Sequence, residues 1–70
     1  MVSLRKRFGC RVRELRKASG LSQEEFADKV GFARTYMSRI ETGAANPSLD
    51  AIQALADSLA VPVVMLFTDS

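Results

Sequence analysis

Residues 21–43, LSQEEFADKVGFARTYMSRIETG, decide the fold, because they divide into two short helical segments hinged at one glycine. Ser22 stands three residues before Glu25, the spacing of a capping box in which each side chain satisfies the other's free backbone donor. Phe26, Ala27 and Val30 then fall on one helical stripe. Gly31 follows, where a tight turn needs a residue that tolerates positive φ. The next segment, Arg34–Thr42, carries Met37 and Ile40 on one side and Arg34, Thr35, Ser38 and Arg39 on the other. That second side is short, polar and basic, with no catalytic apparatus. Such a division of faces points to nucleic-acid binding.

Working outward, the chain reads as five helices with neither linker nor repeat. The first covers residues 3–18, where Leu4, Phe8, Val12 and Leu15 form an apolar stripe. Gly9 weakens this helix by roughly 1 kcal/mol relative to alanine without breaking it, and Gly20 caps its end. After the central pair, Gly43 ends the third helix, and Asn46-Pro47 disfavours helix in the loop that follows. Ser48 caps a fourth helix with Asp50 in its first turn and Leu49, Ile52, Leu55, Ala56 and Leu59 on its apolar face. In the closing residues 60–67, AVPVVMLF, the valines favour strand while Pro62 suits the start of a short helix. No partner strand precedes it, so one or two helical turns are expected.

Composition narrows the function. Seventy residues make one domain, spanning residues 1–70, with a core so small that a partner subunit would help it. The net charge of +2 is unevenly spread: seven Lys and Arg stand before Leu21 against Glu14 alone, and three acids with no base follow Glu41. One end should be electropositive, either as a phosphate-facing surface or as a solvated helix face. A single cysteine, Cys10, excludes an internal disulfide and a cysteine zinc cluster. With no histidine, neither metal ligation nor histidine acid–base catalysis has support, so no metal, cofactor or catalytic residue is expected. Glu24, Glu25 and Asp28 read as a solvated acidic face, and the chain reads as a non-enzyme. No signal peptide is visible, and residues 60–67 fall far short of the roughly 20 residues of a membrane span. A cytoplasmic protein without membrane contact is the expectation.

The segments RELRKASGLSQEEFADKVG, SRIETG, NPSLDAIQALADSLAVP and the closing LF, in that order, resemble the Cro and phage-repressor family of helix-turn-helix proteins, the xenobiotic-response-element type. The resemblance covers residues 8–67. ARTYMS with a nearby Asn-Pro-Ser also looks like the small controller proteins of restriction–modification systems. It implies an all-α, compact five-helix domain like that of lambda repressor, with helices 2 and 3 as the motif. It further implies sequence-specific binding of a double-stranded DNA operator by a homodimeric transcription regulator. Recognition helices of this kind meet base edges with their N-terminal residues. Arg34 and Arg39 are then the main base readers, with Thr35 and Ser38 assisting. An arginine fork on guanine discriminates by about 1–3 kcal/mol.

The same resemblance implies a phosphate clamp at Ser22 and Gln23, where free helix N–H groups attract anions. Tyr36 either reaches a phosphate or packs half-buried between helices. Asn46 matches a position near the DNA backbone, although Ala44 and Ala45 stand where relatives often carry bases. Glu41 resembles a buried glutamate that pairs with an arginine of the first helix, here Arg16. Ala33 departs from the usual Ser or Thr cap, a loss of around 1 kcal/mol.

Before the closing LF, relatives are commonly polar, whereas this chain has Val63, Val64 and Met65. With Val61 and Phe67 they are expected to form a two-fold interface, the alternative being extra core packing. Activation would need a patch facing RNA polymerase, for which Glu24, Glu25 and Asp28 are candidates. An antitoxin or other protein-binding module on the same fold is the alternative function; antitoxins usually carry an added toxin-binding segment.

Overall fold

Three of the four α-helices start at a serine whose hydroxyl replaces a missing backbone partner. In the computed structural model, which describes residues 2–68, Ser3 accepts from the Lys6 amide at the head of α1 (Leu4–Ala18). Ser22 accepts from the Glu25 amide at the head of α2 (Gln23–Val30), and Glu25 accepts in return from the Ser22 amide at 2.8 Å. Ser48 accepts from the Ala51 amide at the head of α4 (Leu49–Leu59). The exception is α3 (Arg34–Thr42), which begins at Ala33 with no side-chain cap. Gly31 lies between α2 and α3 at φ 88°, in the left-handed region that side chains avoid.

The expected fifth helix is a correction: Val63–Leu66 forms a single 3-10 turn, giving four α-helices, and no strand occurs among the described residues. Met65 N–H bonds to the Pro62 carbonyl at 2.9 Å and Phe67 N–H to that of Val64 at 3.0 Å, the i to i+3 pattern of the tighter helix. Pro62 itself stays extended at ψ 151°, so the turn starts abruptly. Leu66 then drops into the core, and Arg11 Nε holds the turn to α1 by donating to the Met65 carbonyl at 2.9 Å. No longer helix is needed to bury one leucine.

The core gathers Phe8 and Val12 of α1, Phe26 and Ala27 of α2, Met37 and Ile40 of α3, Leu55 and Ala56 of α4, and Leu66. Full burial of an aliphatic or phenylalanine side chain stabilises by about 1.5–3 kcal/mol. Of the residues assigned to apolar stripes, Leu15, Val30, Ile52 and Leu59 pack against this core from partly buried positions, whereas Leu4 is 65% exposed and Leu49 83% exposed. Both stand at the first position of their helices, beyond the edge of the packed layer. The α3 helix packs across α1 and α2. At that crossing Gly9 is buried, and a Cβ there would stand 2.3 Å from the Ile40 carbonyl oxygen and 2.8 Å from that of Glu41. Gly9 is therefore the close-approach point that lets α3 rest on α1.

Candidate nucleic-acid interface

Two opposite charges lie beneath α3. Arg16 and Glu41 are both buried, and the guanidinium grips the carboxylate with two bonds, Nε to Oε2 at 2.8 Å and Nη2 to Oε1 at 3.0 Å. The remaining arm, Nη1, donates to the Leu21 carbonyl at 2.8 Å. Gln23 Nε2 adds a bond to Glu41 Oε1 at 3.3 Å. One cluster thus joins α1, the head of α2 and the last turn of α3. The Gln23 link spans 18 residues, so no local sequence pattern announces it.

On the opposite side, α3 exposes Arg34, Thr35 and Arg39, with Ser38 partly covered. Thr35 and Arg39 make no side-chain hydrogen bond among the described residues, whereas Thr42 turns its hydroxyl back onto the Ser38 carbonyl at 3.0 Å. Arg34 is engaged: its Nη1 lies 3.4 Å from Glu24 Oε2, across the turn on α2. Tyr36 is half-buried, its ring edge-on to Phe32 with centroids 5.1 Å apart.

At the head of α2, Ser22 uses its amide and its hydroxyl lone pair within the capping box. The Ser22 backbone and hydroxyl bonds hold the Glu25 carboxyl below the usual glutamate range. The Gln23 and Glu24 backbone N–H groups make no hydrogen bond among the described residues, as expected at a helix start. Of the acids in α2, Glu25 is occupied by the cap and Glu24 by Arg34, which leaves Asp28 as an exposed acid without a partner.

Asn46 lies elsewhere, exposed at the edge of a groove of about 520 Å³ shared with Leu4, Arg5, Phe8, Ile52 and Phe67. Ala45 is part of the core, whereas Ala44 is exposed. The Lys6 stem packs over Gly43, closely enough that a Cβ there would meet Lys6 Cγ at 2.6 Å. In the closing segment, Val61 and Val63 lean on the core while Met65 is half-buried. Val64 remains 63% exposed and Phe67 42% exposed, with the Phe67 ring 5.1 Å from Phe8. Among the described residues no group of His, Cys, Asp and Glu is placed to hold a metal ion, and no helix is long and apolar enough to cross a membrane.

The family model for a helix-turn-helix domain matches residues 7–66, which take in the Gly31 hinge, the outer helix α3 and most of the basic first segment. The chain belongs to the helix-turn-helix family. Control protein C.MunI from Mycoplasma sp is 39% identical over 70 residues, covering 99% of this chain and 95% of that protein. The restriction–modification controller protein C.AhdI from Aeromonas hydrophila, whose structure is known, is 45% identical with a TM-score of 0.86, covering 89% and 94% of the two chains. SinR, the master regulator for biofilm formation, solved in complex with DNA, is 35% identical with a TM-score of 0.82, covering 87% and 98%. These helix-turn-helix relatives are regulators and controllers of transcription or restriction–modification, and the present domain shares the fold of those with known structures.

Proposed function

We propose that this chain is a homodimeric transcription regulator that binds a specific double-stranded DNA sequence by placing α3 in the major groove. The observation that carries this reading is the split of α3, with Met37, Ile40 and Glu41 buried and Arg34, Thr35 and Arg39 exposed. A helix seated on a buried ion pair presents its outer side chains at fixed positions, which base readout requires. The likeness to SinR, solved with DNA, supports the reading, as does the likeness to C.MunI and C.AhdI. It acts in the cytoplasm, where its DNA is.

In this reading Arg34 and Arg39 read guanine, Thr35 and Ser38 contact neighbouring bases, and the backbone N–H groups of Gln23 and Glu24 receive a phosphate. Ser22 keeps its hydroxyl hydrogen for the same phosphate, and Gln23 keeps one amide hydrogen beyond its bond to Glu41. Tyr36 and Asn46 flank the backbone, Asn46 with help from Lys6. Val64 and Phe67 pair two copies so that half-sites lie about 34 Å apart.

The test starts by selecting bound duplexes from a randomised pool. Arg34→Ala should then weaken the selected duplex about 10- to 100-fold, the worth of one bidentate base contact. On a shuffled duplex of the same composition the loss should be under about 5-fold, since only one cation is removed. Equal loss on both duplexes would reject Arg34 as a base reader.

A further inference from the structure

Arg34 occupies an awkward place for a cation. It is the first residue of α3, at the positive end of the helix dipole, with no acid in that turn and no side-chain cap at Ala33. What holds its guanidinium is Glu24 of α2, at 3.4 Å from Nη1. Both side chains are about two-thirds exposed, 64% for Arg34 and 68% for Glu24, so the pair is weak and its partners can be exchanged.

The geometry points to Glu24 as a specificity-determining residue, one that keeps Arg34 presented to a base edge and withheld from phosphates. This inference rests on the reading of Arg34 as a base reader. Glu24 takes only Nη1, which leaves the Nε–Nη2 edge open. Arg16 uses that same edge for its two bonds to Glu41. A guanine presents two neutral acceptors, O6 and N7, that fit such an edge while Glu24 stays in place. A phosphate brings a negative charge beside the Glu24 carboxylate, so the contact forms only if Arg34 abandons its partner. The carboxylate therefore penalises phosphate contacts, which every sequence offers, and tolerates the base contact, which one sequence offers. Specificity of this kind comes from a repulsive element.

Glu24→Gln separates the two kinds of contact. With the charge removed, Arg34 is free to bind phosphate. Affinity for a shuffled duplex should rise about 5-fold at low salt, and its log–log salt slope should steepen by about 0.9, one extra phosphate. The duplex selected by the wild-type chain should gain about 5-fold less than the shuffled one. The preference ratio therefore falls about 5-fold, whatever the lost charge adds to both duplexes at the phosphate held by the Gln23 and Glu24 amides. Asp28→Asn removes an equal charge from the same helix without touching Arg34 and serves as the comparison. If Glu24→Gln shifts both duplexes equally, or matches Asp28→Asn, the inference is overturned. In an Arg34→Ala background Glu24→Gln should leave the ratio unmoved, and a further fall there would also overturn it. If Arg34→Ala alone leaves the preference intact, the base-reader reading itself fails. If Arg34→Ala collapses the preference while Glu24→Gln does not lower it, only the role of Glu24 fails.

Discussion

Arg16 and Glu41 show how one residue pair governs both stability and the placement of the outer helix. The three hydrogen bonds of Arg16 match it to a carboxylate and a carbonyl, with no buried side-chain polar atom unsatisfied among the described residues. Removing one partner strands the other charge in the interior, which costs about 3–5 kcal/mol. Glu41→Ala should lose that much in urea unfolding, a large share of the total for so small a domain. Arg16→Met combined with Glu41→Leu should recover part of the loss, because no orphan charge remains. The charge pattern of the sequence misleads at this scale. Two cations of the basic first segment, Arg11 and Arg16, are buried, so the segment is less electropositive outside than its composition suggests. The pairing of Arg16 with Glu41 is implied only by family resemblance. The ties of Gln23 to Glu41 and of Glu24 to Arg34 arise when α2 and α3 fold against each other, and no spacing rule contains them.

Helix-level signals were legible wherever they are local. Ser22 and Glu25, Ser48, Gly31 and the bare Ala33 all act on their own helix ends, within reach of a motif. Gly9 behaves differently, because its role is set by α3, some thirty residues away. Judged by propensity, Gly9→Ala should add about 1 kcal/mol to α1. Judged by packing, the new Cβ meets two backbone carbonyls that no rotamer change can clear. Overpacking against backbone costs typically about 1–3 kcal/mol and should dominate. Gly9→Ala is expected to be less stable than wild type by thermal or chemical unfolding, with α3 pushed from its seat; a more stable variant would show that propensity wins. The opposite sign is expected at Ala33, whose φ of −63° and ψ of 143° already suit a cap. Ala33→Ser should gain about 1 kcal/mol, raising the Tm by roughly 4–8 °C. No gain would mean the serine hydroxyl does not reach the α3 amides.

At the scale of the whole molecule, the balance of apolar surface decides how the domain is used. Of the residues expected at an interface, Val61 and Val63 are partly buried against the core. Leu4 and Phe67 line a groove with Phe8, Pro47 and Ile52. A small domain that leaves Leu4, Leu49, Val64 and Phe67 exposed carries more apolar surface than its own core uses. Pairing two copies across this face would bury that surface and set two recognition helices in register, which a single domain cannot do. Val64 tests the idea cleanly, since its exposed side chain contributes little to the monomer. Val64→Asp should change monomer stability by no more than about 0.5 kcal/mol. It should also bring two carboxylates into the interface of a dimer that pairs through Val64. The wild-type chain should sediment as a dimer at micromolar concentration, with a Tm that rises with concentration. Val64→Asp should sediment as a monomer with a Tm independent of concentration. Its affinity should fall far more for a duplex with two half-sites than for one with a single half-site. A wild-type monomer that binds the two-site duplex at full strength would reject pairing altogether, and a dimeric Val64→Asp would move the interface away from this face.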